Sequence, residues 1–423
     1  MKNGKKYFIR KRGKKCQKKK ILLKRVLLIL KKKFMKRNIN SNDNKGVVVN
    51  NNVENNDKKR VIRNPGIDFV RILSMYAIIF HHILYHADLF NKYHKYKKLI
   101  LLNTSCFWHV NSFILISGYV GYKSNKISNL LYLWLDVLFY SLGITFFYGK
   151  YISNTNAEKI TFEDYLPVYF EKYWYFTKYF GMYFFLPLIN KGIASLTKSE
   201  LRNIAICLIL VYVVMKDVIN PKIDIYTMNN GYSVLWFQIY YITGAYLGKY
   251  KNEYNGTKKI VFCIIYLFVF YYSTILCFNI SDYSLDNLKG YFKTKIMIIL
   301  KRIFVLRISS FPMILQSISI VLLFTQIKYN QYFTNIITFL GPFTFGIYLI
   351  HINPIFKNNI IKQLFQKESN YLTCSIVVKL VLIRSFEIFG FCLIIDNFRN
   401  ILFIFFRLRK ICIFIERIIY KLI

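Results

Sequence analysis

Apolar residues in this chain come in long runs, without the spacing of a surface helix or the alternation of a strand. Runs of about 18 or more are typical of helices that cross a membrane. The expected fold is therefore an all-α polytopic membrane protein, with about ten transmembrane helices forming one bundle. The predicted spans are roughly 67–90, 99–122, 129–148, 173–193, 201–219, 231–249, 259–279, 303–325, 336–356 and 374–395.

The start of the chain has a different composition. Residues 1–65 are basic and Asn-rich, and 18 of the 61 Lys and Arg residues lie in the first 40 positions, which hold no acid. The apolar patch ILLKRVLLIL is too short to cross a bilayer, and no small-residue cleavage site follows it. We expect a disordered cytoplasmic tail; a basic helix on anionic lipid is the alternative.

The remaining chain predicts a multi-span domain over 66–396 and a basic interfacial helix over 397–423. An even number of spans puts both termini on one side, and the basic residues at both ends place that side in the cytoplasm. The acidic loop 149–172 then lies outside and the basic loop 249–259 inside. The expected location is the plasma membrane of a bacterium, in contact with membrane lipids.

Composition excludes other classes of function. The formal charge is +41, yet 55% of the residues are hydrophobic, and many lysines flank the predicted spans as topology determinants do. No soluble fold is expected that could carry a nucleic-acid site, so nucleic acid is not an expected partner. The eight cysteines form no CxxC, which argues against a disulfide framework or a zinc site.

The first predicted span carries ionisable residues in the stretch RILSMYAIIFHHILYH, which begins at Arg71. A helix turns about 100° and rises 1.5 Å per residue, so His82 lies about 20° from Arg71 and roughly 16 Å above it. Asp68 and His86 fall on the same face, whereas His81 is turned about 100° away. Such a face inside a membrane points to a functional cavity, with a structural ion pair as the alternative.

Two other segments reach the same depths as this face. His351 lies in GPFTFGIYLIHINPIF, about 15 residues along the ninth span, and His82 is about as far along the first. Both spans run outward, so the two histidines are expected at similar depth. NSFILISGYVGY closes the second span, which runs inward, and this places its SGY at the depth of Arg71.

These patterns resemble the membrane acyltransferase-3 family: an Arg followed eleven residues later by a His, SGY, and GxYLxH near the end. Members of that family are multi-span O-acyltransferases of cell-surface polysaccharides and related glycans. KYWYFTKYFGMYFFLPLINKGI, GYSVLWFQIYYITGAYLGKY and IIDNFRNILF are similar to its polysaccharide O-acetyltransferase branch. The resemblance covers about 66–405.

The resemblance implies site residues and substrates. The family's essential arginine and histidine fall on Arg71 and His82, and its late histidine falls on His351; these are the candidate catalytic residues. The candidate substrate-binding residues are Arg71, Asp68, Ser117, Gly118, Tyr119, His86 and Tyr348. Neither a metal nor a bound cofactor is expected. The donor substrate is expected to be acyl-CoA, and the resemblance to the family favours acetyl-CoA.

The residue types fit acyl transfer. A neutral histidine can take the proton from a sugar hydroxyl. The planar fork of Arg71 suits the phosphates of acyl-CoA, which is cytoplasmic. The acceptor, a glycan or lipid-linked saccharide, would then come from the other side. Whether His82 acts as a general base or as a transient acyl carrier stays open. Because no further domain is expected after the last span, we expect the membrane part to bind the acceptor.

Three other hypotheses use the same residues. A transporter of a glycan or lipid-linked precursor would also carry ionisable residues in its spans, although the chain has no internal repeat. A haem protein would use His82 and His351 as axial ligands. A metal site at His82 and His86 would have no carboxylate nearby apart from Asp88.

Overall fold

The structure is a computed structural model that describes residues 63–87, 89, 97–151, 161–219, 223–254, 259–282, 291–303, 307–357 and 373–422. Every regular element in these ranges is helical. The first half contains α1 Pro65–His86, α2 Lys97–Cys106, α3 His109–Gly121, α4 Ile127–Tyr151, α5 Phe162–Tyr165, α6 Trp174–Tyr183, α7 Leu186–Ser195, α8 Lys198–Ile209 and α9 Lys216–Ile219. The second half contains α10 Val234–Lys249, α11 Lys259–Asp282, α12 Tyr291–Ile303, α13 Phe311–Gln326, α14 Gln331–Leu340, α15 Thr344–His351, α16 Pro354–Phe356, α17 Cys374–Phe405 and α18 Leu408–Leu422.

Among the described residues, four helical segments are long and apolar enough to cross a membrane: Pro65–His86, Lys98–Gly121, Ile127–Phe147 and Gln331–His351. They coincide with four of the predicted spans, so the all-helical membrane fold is confirmed and the count of ten is not. Large apolar side chains on α17 face outward, with Phe386 and Ile394 more than 70% exposed. An apolar outer surface of this kind suits contact with lipid.

Helix breaks explain why several predicted spans are not single long helices. The predicted span 173–193 is divided between α6 and α7, and Pro187 lies in the first turn of α7. Pro312 likewise lies in the first turn of α13, and Pro342 in a 3₁₀ turn that joins α14 to α15. Proline lacks the backbone N–H that an interior helical position needs, so it is best accommodated where a helix begins.

Glycines bring α3 and α10 close together. A Cβ atom added to Gly118 would overlap with the carbonyl of Tyr241, and one added to Gly244 or Gly248 would overlap with the backbone of α3. Small residues at these positions let two backbones approach, as is common between membrane helices. The SGY segment therefore packs closely against α10.

Three helices run side by side in the same direction. At one end of the bundle, Gly341 at the start of the α15 segment packs against Asp68 near the start of α1. At the other end, His351 closes α15 next to His82. The helix α4 runs the same way as α15, because Tyr140 is bonded to Asp396 beside Gly346, whereas the later residue Thr145 lines a pocket with Pro354. This relative order agrees with the predicted directions of spans one, three and nine.

A buried ionic network fixes the position of α15. The Arg399 guanidinium on α17 donates to Asp136 of α4 at 2.8 Å and to Asp396 of its own helix at 2.7 Å. The Tyr140 hydroxyl donates to Asp396 at 2.7 Å. A Cβ at Gly346 would overlap with the Asp396 carboxylate, so α15 lies directly against the network. Breaking a buried pair of this kind is costly because an uncompensated charge is left behind.

Candidate active site

Two histidines from distant parts of the chain form a hydrogen-bonded pair in the protein interior. Nδ1 of His82 lies 3.0 Å from Nε2 of His351, although the two residues are 269 positions apart. His351 is fully buried. The prediction that both histidines reach the same depth is confirmed by this contact.

The surroundings of the pair fix which nitrogen carries a proton. Nδ1 of His351 lies 2.7 Å from the carbonyl oxygen of Ile347, which can only accept, so Nδ1 must be the protonated nitrogen of a neutral His351. Its Nε2 is then the acceptor, and His82 must donate from Nδ1. This leaves Nε2 of a neutral His82 with a free lone pair. The arrangement therefore presents a base, oriented by a second histidine and a backbone carbonyl.

Arg71 lies on the same face of α1, as predicted. Its Nη1 donates to Asp68 at 3.0 Å, and the Asp68 carboxylate is buried. The Arg71 side chain is 27% exposed, which leaves part of its planar fork of donors accessible. A guanidinium held by one carboxylate in this way can still bind a phosphate with its other N–H groups.

A cavity of about 240 Å³ joins the arginine to the histidine pair. Arg71, Met75, Ile78 and His82 line it from α1. Aromatic residues of the segment after residue 172 form the facing wall, including Trp174, Tyr175 and Tyr179. The sequence KYWYFTKYF was part of the family resemblance, but its role as a wall of the site was not predicted. A long apolar pocket with a cation at one end and a base at the other suits a slender ligand that carries an anionic head.

The remaining candidate residues are divided between the cavity and its supports. Ser117 and Tyr348 line the cavity. The Tyr348 hydroxyl accepts a hydrogen bond from the backbone N–H of Tyr175 at 3.3 Å. Gly118 and Tyr119 do not line it, and instead pack against α10. Their assignment to substrate binding stays a prediction, and their visible contribution is to hold Ser117 in place.

Five of the six histidines gather in one region, which the sequence did not predict. The His86 ring lies 5.4 Å from the His82 ring, and the His81 ring lies 5.3 Å from that of His109. Nδ1 of His81 lies 3.0 Å from Oδ1 of Asn103, so His81 faces α2 and not the cavity, as its helical position predicted. The sixth histidine, His94, is outside the described residues.

The geometry does not suit a metal between the two central histidines. Two metal–nitrogen bonds of about 2 Å would hold the nitrogens roughly 4 Å apart with the ion between them. The two nitrogens are 3.0 Å apart and in direct contact. Within the described ranges, no group of three or more His, Cys, Asp or Glu side chains is arranged to hold a metal ion. A haem held by both histidines would require this contact to open.

The fold and site define an all-helical membrane protein with a base and a cation at opposite ends of one interior cavity. A search against protein families matches residues 64–404 to the acyltransferase domain of the acyltransferase-3 family. The chain belongs to this family, and the protein is an acyltransferase. No curated protein and no solved structure matches it.

Proposed function

We propose that the protein is an O-acyltransferase that moves an acyl group, most simply acetyl, from acyl-CoA to a hydroxyl of a cell-surface or exported polysaccharide. The observation that carries this proposal is the His82–His351 pair. It leaves Nε2 of His82 free, and His82 is the member of the pair that lines the cavity. Acyl transfer to a hydroxyl needs a base at the point where donor and acceptor meet.

The chemistry follows from that nitrogen. Nε2 of His82 takes the proton from the acceptor hydroxyl as the oxygen attacks the thioester carbon. A C–O bond forms, the C–S bond breaks, and the departing CoA thiolate takes the proton from His82. His351 accepts the Nδ1–H of His82 throughout and so stabilises the imidazolium that forms.

The donor end is assigned to Arg71. A guanidinium binds phosphate oxygens in a bidentate manner, and Arg71 lies at the opposite end of the cavity from the base. Its position predicts that the phosphates stay near the cytoplasmic surface while the acyl arm lies along the aromatic wall. From the predicted spans and the basic residues at both ends of the chain, we propose that it lies in the plasma membrane of a bacterium, with both termini cytoplasmic.

Acetyl-CoA binding and transfer test the proposal together. Purified protein in detergent or nanodiscs should bind acetyl-CoA and transfer labelled acetyl to a glycan, and His82→Ala should retain binding and lose transfer. Transfer that survives in His82→Ala would refute the assignment of the base. Transport of a glycan across proteoliposomes, with no ester formed, would favour the transporter hypothesis instead.

Orientation can be tested separately. Reporter fusions after residues 155 or 225 should be active outside, and fusions after residue 255 should be active inside. A cytoplasmic signal at 155 would overturn the assignment of Arg71 to the cytoplasmic end.

A further inference from the structure

A second pocket lies beyond the histidine pair, at the end of the bundle away from Arg71. Its volume is about 630 Å³, and it opens between α4, the segment around α5, and the start of α16. Its lining consists of Thr145, Thr161, Glu163, Asp164, Phe170, Lys172, Pro354 and Ile355. We call it the vestibule.

Only a thin layer of the chain separates the vestibule from the cavity. Lys172 lines the vestibule and Trp174 lines the cavity, and Tyr173 is buried between them. The Tyr173 hydroxyl accepts a hydrogen bond from Nδ2 of Asn353 at 3.0 Å, two residues after His351. Tyr173 and Asn353 thus form a buried contact next to the vestibule, since their chain neighbours Lys172 and Pro354 line it.

Part of the polar lining is fixed and part is available. The Asp164 carboxylate accepts from the Thr161 backbone N–H at 2.9 Å and from the Thr145 hydroxyl at 2.9 Å, and it is paired with Lys172. Glu163 is exposed, and its carboxylate has no hydrogen bond or ion pair to any described residue. The fixed groups shape the wall, and Glu163 is left to bind a ligand.

An aromatic surface completes the pocket. Phe170 lies in the lining and is 47% exposed, and the neighbouring Phe162 ring is 6.1 Å away in an edge-on arrangement. A pocket that combines an exposed aromatic face with hydroxyl and carboxylate groups suits a hydroxyl-rich ring with an apolar face.

We propose that the vestibule binds one sugar unit of the acceptor, with its ring against Phe170 and its hydroxyls bound by Glu163. This inference rests on the proposed function and supplies its acceptor site. One hydroxyl of the bound sugar reaches His82 only when the buried contact between Tyr173 and Asn353 opens, while the donor occupies the cavity from the Arg71 end. Donor and acceptor then meet at the histidine pair from opposite sides.

The test measures the KM values of the two substrates separately, with labelled acetyl-CoA as donor and a panel of p-nitrophenyl glycosides as acceptors. Glu163→Gln and Phe170→Ala should each raise the acceptor KM about tenfold, since a charge-assisted hydrogen bond or a stacked face is lost. The KM for acetyl-CoA should not change. The matched controls are Glu171→Gln and Tyr169→Ala, which alter exposed residues of the same segment outside the lining.

Other outcomes would overturn the inference in distinguishable ways. An unchanged acceptor KM in both variants would remove the vestibule as a binding site. Equal loss of thermal stability in nanodiscs in Phe170→Ala and Tyr169→Ala, with acceptor KM unchanged, would mean that these aromatics pack at the membrane interface instead. If the wild-type protein binds acetyl-CoA but acetylates none of the glycosides, the vestibule as a site for a single sugar is wrong and the donor site stands. If it does not bind acetyl-CoA, the proposed function itself fails.

Discussion

The interaction between the two central histidines yields the sharpest prediction. In the structure, Nε2 of His351 accepts the Nδ1–H of His82. This hydrogen bond keeps the proton of His82 on Nδ1, so that the lone pair on its Nε2 is accessible from the cavity. Replacing His351 with leucine removes the acceptor but keeps an apolar side chain in a buried position. His82 would then bury an unsatisfied N–H, at a cost of about 1–3 kcal/mol.

His82 can avoid that cost by moving its proton to Nε2. The lone pair of His82 then lies on Nδ1, away from the cavity. Returning the proton to Nδ1, which restores the base on Nε2, costs the same 1–3 kcal/mol. At about 1.4 kcal/mol for each tenfold change, His351→Leu should lower kcat by about 5- to 150-fold. His351→Gln offers an amide oxygen near the former Nε2 position, so it should restore a large part of that loss.

The assay is acetyl transfer by purified protein, with acetyl-CoA binding measured in parallel by calorimetry. Both variants should bind the donor like the wild type, because Arg71 and the aromatic wall are unchanged. If His351→Leu and His351→Gln lose the same activity, the hydrogen bond to His82 is not the reason for the loss. If the donor affinity falls together with kcat, His351 supports the cavity as a whole and does not orient the base.

Four further predictions use other parts of the site. Arg71→Lys keeps the charge but loses the bidentate fork, so the KM for acetyl-CoA should rise at least several-fold while turnover at saturating donor is partly retained; an unchanged KM would contradict the donor assignment. His81→Ala should retain most of the transfer that His82→Ala abolishes, because His81 faces Asn103; equal losses would contradict the helical face. Arg399→Met leaves two buried carboxylates without their cation and should destabilise the fold by about 3–5 kcal/mol. This loss should lower the midpoint of thermal unfolding, and an unchanged midpoint would contradict a structural role for the network. Burial raises the pKa of the Asp164 carboxyl, but Lys172 and the Thr161 backbone N–H outweigh this effect and hold the pKa below its usual value. The wild type should therefore be more stable to heat than Asp164→Asn above about pH 4, and this difference should disappear as the pH falls through the lowered pKa. A difference that does not depend on pH would contradict the ionic role of Asp164.

The first helix was predictable because its geometry is local. The 3.6-residue period placed Asp68, Arg71 and His82 on one face and His81 on another, and the structure has this arrangement. The meeting of His82 with His351 followed from the direction of the spans, which sets depth. Depth alone did not give the tautomers, because these depend on the Ile347 carbonyl one turn earlier in α15.

Contacts between helices that are far apart in sequence could not be predicted from period or spacing. The motif IIDNFRNILF was noticed, but Asp396 and Arg399 resemble a local i, i+3 pair, and nothing in the motif names Asp136 on α4 as the third member. A signal was present, since Asp136 is an acid inside the apolar run LYLWLDVLFY, and such residues need a partner. The breaks within the predicted spans were not predicted, because a continuous apolar run does not show that Pro187 and Pro312 each begin a new helix.

A pair of histidines suits a base that works inside a membrane protein. In soluble hydrolases a carboxylate commonly orients the catalytic histidine and stabilises its charged form. A carboxylate buried behind His82 would add a formal charge to a low-dielectric interior, where an uncompensated charge costs several kcal/mol. The neutral His351 accepts the same Nδ1–H without that charge, and the Ile347 carbonyl fixes its tautomer. In the proposed mechanism, the site therefore carries an extra charge only while the proton of the acceptor hydroxyl rests on His82, and it returns to neutrality when that proton leaves with CoA.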